Sequence, residues 1–224
     1  MAGKADTQRG RMIDAFVGRL ATRPFNEVEL ADVAADAGVT LADLRREFDG
    51  RHALLKAFVQ RIDTAVLAGD DPAMADQPPR DRVFDVLMRR LDVLAPHKEA
   101  VRSLLRSVRG DPGTALFVNG LVTRSMSYML AAARVSTGGR RGALKAQGLA
   151  FAWARIVDVW IDDPDPGLAR TMVEVDRALS RGERALDMVD RLCSGLSRLD
   201  EGLSRFRGRR RGDRPAEGVA GEGI

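Results

Sequence analysis

A run of polar and charged residues follows a glycine turn near the start of the chain. Residues 37–48 read AGVTLADLRREF, with Gly38 in the turn and the apolar Val39 and Leu44 spaced to pack beneath the helix that follows. A short helix entered through such a turn places its first residues in the major groove of DNA, where side chains reach base edges and phosphates. The residues expected on or beside that surface are Thr40, Leu41, Asp43, Arg45 and Arg46, with Arg51 just beyond.

Three neighbouring elements must hold this helix in place. Apolar residues recur at three- and four-residue spacing, which predicts helices over about residues 8–22, 30–37 and 51–68. Thr40 and Asp43 have the spacing of a capping box, with Asp in place of the usual Glu. The sequence therefore predicts two short helices joined by a tight turn and flanked by two longer helices.

The charge of this region does not favour a phosphate backbone. The whole chain has 36 Lys and Arg against 32 Asp and Glu, but up to Asp63 the basic and acidic residues are equal in number. Glu29 and Glu47 are expected beside the DNA, where a carboxylate repels phosphates. Glu47 would avoid this repulsion by pairing with Arg51 four residues on. Two interpretations stay open: a DNA-binding unit of weak or selective affinity, and a three-helix unit kept only for packing.

Residues 31–55 resemble the N-terminal domain of TetR-family transcriptional regulators. That family's stretch is roughly AGVSxGxLYxHFxxKxxLL, and this chain has AGVTLADLRREFDGRHALL, with Arg51 in the Lys position. Arg45 and Glu47 replace the family's usual Tyr and His, and Glu29 replaces its usual Thr. The matching residues are Ala37, Gly38, Val39, Thr40, Leu44, Phe48, Leu54 and Leu55. The resemblance implies an all-α, TetR-like fold and a homodimer on a double-stranded DNA operator.

The predicted domain boundary lies in the linker GDDPAMADQPPRD, which is rich in Pro, Asp and Gly. We predict a helix-turn-helix domain over residues 1–68 and a helical ligand-binding and dimerisation domain over residues 69–187. An amphipathic basic helix is expected over residues 188–211, and the composition of residues 212–224 predicts a disordered tail.

Two stretches of the larger domain, residues 116–130 and 148–162, are the most apolar. Their large side chains could line a cavity for an apolar ligand, but helical spacing alone does not distinguish a cavity from a core or a dimer interface. The candidate pocket residues are Phe117, Met126, Met129, Phe151, Trp153 and Trp160. The implied homodimer is expected to bury the helices around residues 140–161 and 168–185, with Trp153, Val157 and Trp160 as candidates for the seam.

The last predicted helix has an apolar stripe flanked by arginines. Apolar residues recur from Met188 at steps of four and three, and arginines from Arg191 repeat every seven. The stripe consists of Leu192, Leu196, Leu199, Leu203 and Phe206. Such a helix fits an anionic membrane surface or a protein partner, and an ordinary packed terminal helix is the alternative.

The chain from about residue 81 to residue 211 also resembles, more loosely, the TetR-fold lipid-binding proteins of ubiquinone (coenzyme Q) biosynthesis. That likeness lies in VFDVLMRRLDVLAPHKEAVRSLL, in DVWIDDPDPGLARTMVEVDRAL and in the helix that ends in arginines. It implies binding of isoprenoid lipid and membrane in place of DNA. We predict a DNA-binding regulator of unknown ligand, with this lipid-associated protein as the alternative.

Enzymatic chemistry is the least supported class. The sequence has no Gly-rich phosphate loop and no nucleophile elbow, and one Cys and two His argue against a metal centre. We therefore expect no enzyme, no cofactor and no metal. The low aromatic content argues against stacking on single-stranded nucleic acid. A cytoplasmic protein is expected, because no signal-peptide core or apolar run of about 20 residues is present.

Overall fold

The computed structural model describes residues 7–69, 71–185 and 188. These residues form helices, turns and loops without any strand, which confirms the predicted all-α class. The chain divides into two compact units, Met1–Leu179 and Ser180–Ile224. Helices with both ends described are α1 (Gln8–Thr22), α2 (Leu30–Asp36), α3 (Leu41–Glu47), α4 (Arg51–Ala68), α5 (Pro79–Leu94), α6 (Lys98–Gly110), α7 (Pro112–Ala132) and α8 (Gly139–Ile161). Residues 169–179 of the first unit form a further helix, α9.

Of the second unit, residues 180–185 and 188 are described, and they are helical. The predicted amphipathic helix, apart from the exposed Met188, and the predicted tail lie outside the described residues. So do the stripe residues Leu192, Leu196, Leu199, Leu203 and Phe206. Across the part of the chain that the structure describes, no helix combines the length and the apolar character needed to cross a membrane.

Helix α1 begins where its sequence supplies a cap and ends just before a proline. The side chain of Thr7 accepts a hydrogen bond from the Gly10 N–H at 3.1 Å, which satisfies one of the free N–H groups of the first turn. The inner stripe of α1 follows the helical period, and its members Met12, Phe16 and Leu20 are at most 1% exposed. Helices α2, α4 and α6 pack against α1.

The turn between α2 and α3 depends on a glycine. Gly38 has φ +65°, a left-handed conformation that side chains disfavour, and the N–H of Val39 donates to the Ala34 carbonyl at 3.0 Å. Leu44 of α3 is then buried against the bundle at 2% exposure. The two short helices and the tight turn occur as predicted.

The larger part of the first unit is built around α4, which packs against α1, α5 and α7. Helices α6, α7 and α8 complete it, and α7 lies along α8. Its core includes fully buried side chains from three helices, α5, α7 and α8: Leu87, Leu91, Met126, Met129, Ile156 and Trp160. One compact unit therefore contains both the predicted 1–68 domain and most of the predicted 69–187 domain.

Three residues proposed from the sequence for a dimer seam are instead buried inside the protomer. Trp153, Val157 and Trp160 are 5%, 4% and 2% exposed. They belong to the apolar face with which α8 joins its own core. The prediction that they form an intersubunit seam is wrong, because helical spacing identifies an apolar face without saying what covers it.

The connection between α1 and α2 is fastened to α6 by two serine side chains. The Phe25 N–H donates to the Ser107 hydroxyl at 2.9 Å, and the Ser103 hydroxyl donates to the Arg23 carbonyl at 2.8 Å. Both serines are buried and lie one helical turn apart on α6. The helix-turn-helix elements are therefore held to the larger helical part by directional bonds as well as by apolar packing.

A second polar fastening lies at the start of α7. Asp111 caps that helix by accepting hydrogen bonds from the N–H groups of Gly113 and Thr114, and the Asn26 amide donates to it at 3.2 Å. The hydrogen bond from the Thr114 hydroxyl is the largest of several that lower the pKa of Asp111 to about 2. The ionised carboxylate thus links the α1–α2 connection to α7.

The core of the larger part contains one buried ion pair. Arg90 of α5 donates to the Asp63 carboxylate of α4, which also accepts from the Ser125 hydroxyl at 2.7 Å. The Arg90 guanidinium stands 5.3 Å from the centre of the Trp153 ring. Burial lowers the pKa of Arg90, and the neighbouring Asp63 opposes that shift. This cluster joins four helices at one point, since Ser125 lies on α7 and Trp153 on α8.

Candidate nucleic-acid interface

Helix α3 presents one face to the core and the other to solvent. Leu44 of α3 and Phe48 just after it are buried, while the side chains of Arg45 and Arg46 are 71% and 74% exposed. Leu41, the first residue of α3, is 54% exposed. The residues predicted to contact DNA on this helix therefore share its outer surface.

The start of α3 is closed by a reciprocal capping box. The Thr40 hydroxyl accepts from the Asp43 N–H at 3.1 Å, and the Asp43 carboxylate accepts from the Thr40 N–H at 3.1 Å and from its hydroxyl at 2.6 Å. The bond from the Thr40 hydroxyl is the first cause of a lowered pKa at Asp43. The predicted capping box is confirmed, and it occupies the polar groups of both residues.

Each arginine of α3 is paired with a nearby carboxylate. Arg45 contacts Asp49 one turn along the chain, and Arg46 contacts Asp43 one turn back. Exposed pairs of this kind contribute about 0–1 kcal/mol to stability, because water screens them and both side chains lose freedom. Either guanidinium can therefore exchange its carboxylate for another anion at small cost.

Glu47 pairs with a residue that the sequence did not indicate. Its carboxylate lies 3.2 Å from the Arg9 guanidinium of α1, which also donates to the Glu47 carbonyl at 3.3 Å and stands 4.3 Å from the Phe48 ring centre. Arg51, the partner that the four-residue spacing allowed for Glu47, does not pair with it. Arg51 turns to the Asn26 carbonyl instead, at 2.6 Å.

The sequence gives no sign that Arg9 pairs with Glu47, because the two residues are 38 positions apart in the chain. They meet only when α1 packs across the bundle, and no local spacing reports that contact. The consequence for the surface is direct: the carboxylate that was expected to repel a phosphate already has a cation beside it.

An open groove of about 660 Å³ runs beside α3, between the starts of α2 and α4. Its polar lining includes Arg45 and Arg51 on one hand and Glu29 and Asp49 on the other. Glu29 stands at the N-cap of α2 but makes no side-chain capping bond there. An anion in this groove would meet two guanidinium groups and two carboxylates, so the groove is electrostatically mixed.

The six candidate pocket residues do not occupy equivalent positions. Met126, Met129, Trp153 and Trp160 are buried in the core, whereas Phe151 is 66% exposed on α8. Phe117 is partly buried, and its ring stands 4.5 Å from that of His52 at the start of α4. Phe151 therefore lies on the surface, apart from the four buried residues.

Comparison with solved structures identifies the architecture. A TetR transcriptional regulator from Nitrosomonas europaea ATCC 19718 superposes with a TM-score of 0.62 at 22% identity, over 80% of this chain and 99% of that one. A TetR transcriptional regulator from Rhodococcus sp. RHA1 gives a TM-score of 0.56 at 22% identity, over 77% of this chain and 92% of that one. The chain has the TetR fold.

Two further comparisons found no match to this chain. No family model matches the sequence, and no curated protein matches it. The looser resemblance to the lipid-binding proteins of ubiquinone biosynthesis is not confirmed. Structural likeness at 22% identity establishes the fold, so function has to be argued from the surface of α3.

Proposed function

We propose that the chain is a DNA-binding transcriptional regulator that reads a double-stranded operator with α3. The observation that carries this proposal is the exposed face of α3, where Arg45 and Arg46 stand clear of the core in a TetR-like fold. The similar solved structures named as TetR transcriptional regulators support the same assignment. In this account the protein is a binding protein and performs no catalysis.

The electrostatics of α3 are compatible with this role because its charges can be redistributed. Arg45 and Arg46 exchange exposed carboxylates for phosphates or base edges, which costs little in water and releases counterions from the DNA. Glu47 contributes little repulsion while Arg9 lies beside it. The retained carboxylates Glu29 and Asp49 keep non-specific affinity low, so binding should depend on the sequence of the site more than on charge alone.

A homodimer is part of the proposal, because a single helix-turn-helix meets only one half-site. The support for its location is a set of exposed apolar side chains on the last helices of the first unit. Leu144 and Phe151, seven residues apart on α8, are 50% and 66% exposed, and Met172 and Val173 of α9 are 38% and 48% exposed. These residues replace Trp153, Val157 and Trp160 as the proposed seam.

An apolar ligand within the helical body is also part of the proposal. Met126, Met129, Trp153 and Trp160 supply apolar and aromatic surface around the buried Arg90. A ligand that opened this core would meet that surface and the Arg90–Asp63 ion pair, in which the Arg90 Nε–H has no acceptor. Such a site suits an apolar molecule with a hydrogen-bond acceptor. The anionic membrane surface proposed for residues 188–211 rests on the sequence alone.

The deciding experiment is selection of bound fragments from random double-stranded DNA, scored for an inverted repeat. The intact chain should enrich one half-site in two copies, and the variant with both Arg45→Ala and Arg46→Ala should not. Arg124→Ala is the matched control, since Arg124 is exposed on α7, away from the helix-turn-helix. Failure of the intact chain to enrich any sequence would contradict the proposal.

A further inference from the structure

The outer surface of α3 is apolar at its start. Leu41 and Ala42 are exposed between the two residues of the capping box. Among the described residues 7–69, Leu41 is the large hydrophobic side chain that remains exposed, at 54%. Leu44, one turn along, is 2% exposed and belongs to the core, so Leu41 has no corresponding packing role.

The polar groups that surround Leu41 are already occupied. The Thr40 hydroxyl and the Asp43 carboxylate bind each other, and Arg46 contacts the other oxygen of Asp43. A base edge that met this part of α3 would therefore find methyl groups and no free donor from the capping box, because the Thr40 N–H and hydroxyl both donate to Asp43.

Such a surface discriminates among base pairs because it lacks hydrogen-bond partners for their polar groups. Guanine presents two acceptors in the major groove and cytosine an amino donor, and covering either with a leucine leaves a polar group unpaired at a cost. Thymine instead presents its C5-methyl group, which gains from apolar contact. A leucine at the reading surface therefore favours thymine.

We propose that Leu41, with Ala42 beside it, selects operator half-sites that carry a thymine at the step it faces, through contact with the thymine methyl group. The inference rests on the proposed function and concerns the same surface. Arg45, four residues along, shares the helix face of Leu41 and lines the groove beside it. A contact of Arg45 with the DNA, at a phosphate or at a base, would therefore hold Leu41 against the neighbouring base edge.

The position is suited to testing because Leu41 contributes little to the core. Removing an exposed side chain changes folding stability only slightly, so Leu41→Ala should leave the protein folded. Its effect on binding can therefore be read without a correction for unfolding. Thermal unfolding of both proteins verifies that condition.

The test removes the methyl group from the DNA and its contact from the protein. In the selected operator, each thymine is replaced in turn by deoxyuridine, and Kd is measured by titration. The intact chain should bind about fourfold more weakly per half-site at one symmetry-related position, the value for a buried methyl group. Leu41→Ala should bind the thymine and uracil operators equally at that position.

Two controls separate this contact from general effects. Leu116→Ala removes the same atoms from a leucine that is 76% exposed on α7, and this variant should keep the full uracil sensitivity. Replacing the critical thymine by cytosine should weaken binding, and 5-methylcytosine should recover part of the loss because it restores the methyl group.

The outcomes distinguish this inference from the proposed function. If the selected operator binds specifically but no thymine shows uracil sensitivity, or if Leu41→Ala leaves the sensitivity unchanged, the thymine contact is refuted while the regulator assignment stands. If no sequence is enriched at all, both fail together.

Discussion

Arginine and aspartate pair in two very different settings in this molecule. On α3, Arg45 and Asp49 meet in water, with side chains 71% and 89% exposed. In the core, Arg90 and Asp63 meet with side chains 4% and 12% exposed. The exposed pair can open for a binding partner, whereas the buried pair is a structural junction. The difference arises because burial sets the cost of separating the two charges.

The largest expected effect comes from breaking the buried pair. Arg90→Ala should lower the free energy of unfolding by about 3–5 kcal/mol, since it leaves the Asp63 carboxylate buried without its cation. Urea denaturation measures the loss. Arg45→Ala is the matched control, expected within about 0.5 kcal/mol of the intact chain. Equal losses in the two variants would show that burial does not separate the pairs.

Removing both charges sharpens that result. Asp63→Leu combined with Arg90→Met should recover most of the stability lost in Arg90→Ala, because no uncompensated charge remains in the core. Denaturation under the same conditions gives the comparison. A double variant as unstable as Arg90→Ala would mean that the Ser125 and Trp153 contacts, more than the charge balance, hold the four helices together.

The exposed pairs should matter for binding where they do not matter for stability. Arg45→Ala or Arg46→Ala should weaken operator binding by about 1–3 kcal/mol if the guanidinium contacts a base, and by less at a phosphate. Titrations at two salt concentrations separate the cases, since a phosphate contact also lowers the salt dependence. Unchanged affinity in both variants would remove these arginines from the interface.

A smaller effect on binding is expected from removing Arg9, whose guanidinium offsets the charge of Glu47. Arg9→Ala should weaken operator binding a few-fold at low salt, because the carboxylate then repels phosphate unopposed. Glu47→Gln should change binding little in the intact chain and should restore the affinity of Arg9→Ala. Loss of affinity that Glu47→Gln does not restore would assign Arg9 a direct contact with DNA.

The smallest effect concerns pH. The pKa of Asp111 is lowered to about 2 by its hydrogen bonds, against about 3.9 for a free Asp. The carboxylate therefore stabilises the fold above about pH 4, and that contribution is lost as pH falls toward 2. Asp111→Asn should be less stable than the intact chain near neutral pH, and the difference should shrink through that window. A pH-independent difference in urea midpoint would rule out ionisation as the cause.

How much of the fold and of the site the sequence predicts depends on whether a contact joins residues that are close together or far apart in the chain. The bounds of α1 to α4 and the Thr40–Asp43 box follow from spacings of three and four residues, which the sequence displays directly. The pairing of Arg9 with Glu47 depends on where folding places the start of α1 relative to the end of α3, and the sequence carries no local sign of it. Trp153 and Phe151 are two residues apart on one apolar helix, yet one is buried and the other exposed.

The two serines of α6 have a consequence for protein engineering. A chimera that grafts residues 7–50 onto the helical body of another TetR-like protein breaks the bonds from Ser103 and Ser107 unless the recipient offers hydroxyl groups at matching points. The buried N–H of Phe25 would then be left without an acceptor. A graft of residues 7–50 therefore also requires Ser103 and Ser107, although these serines lie more than fifty residues beyond its end.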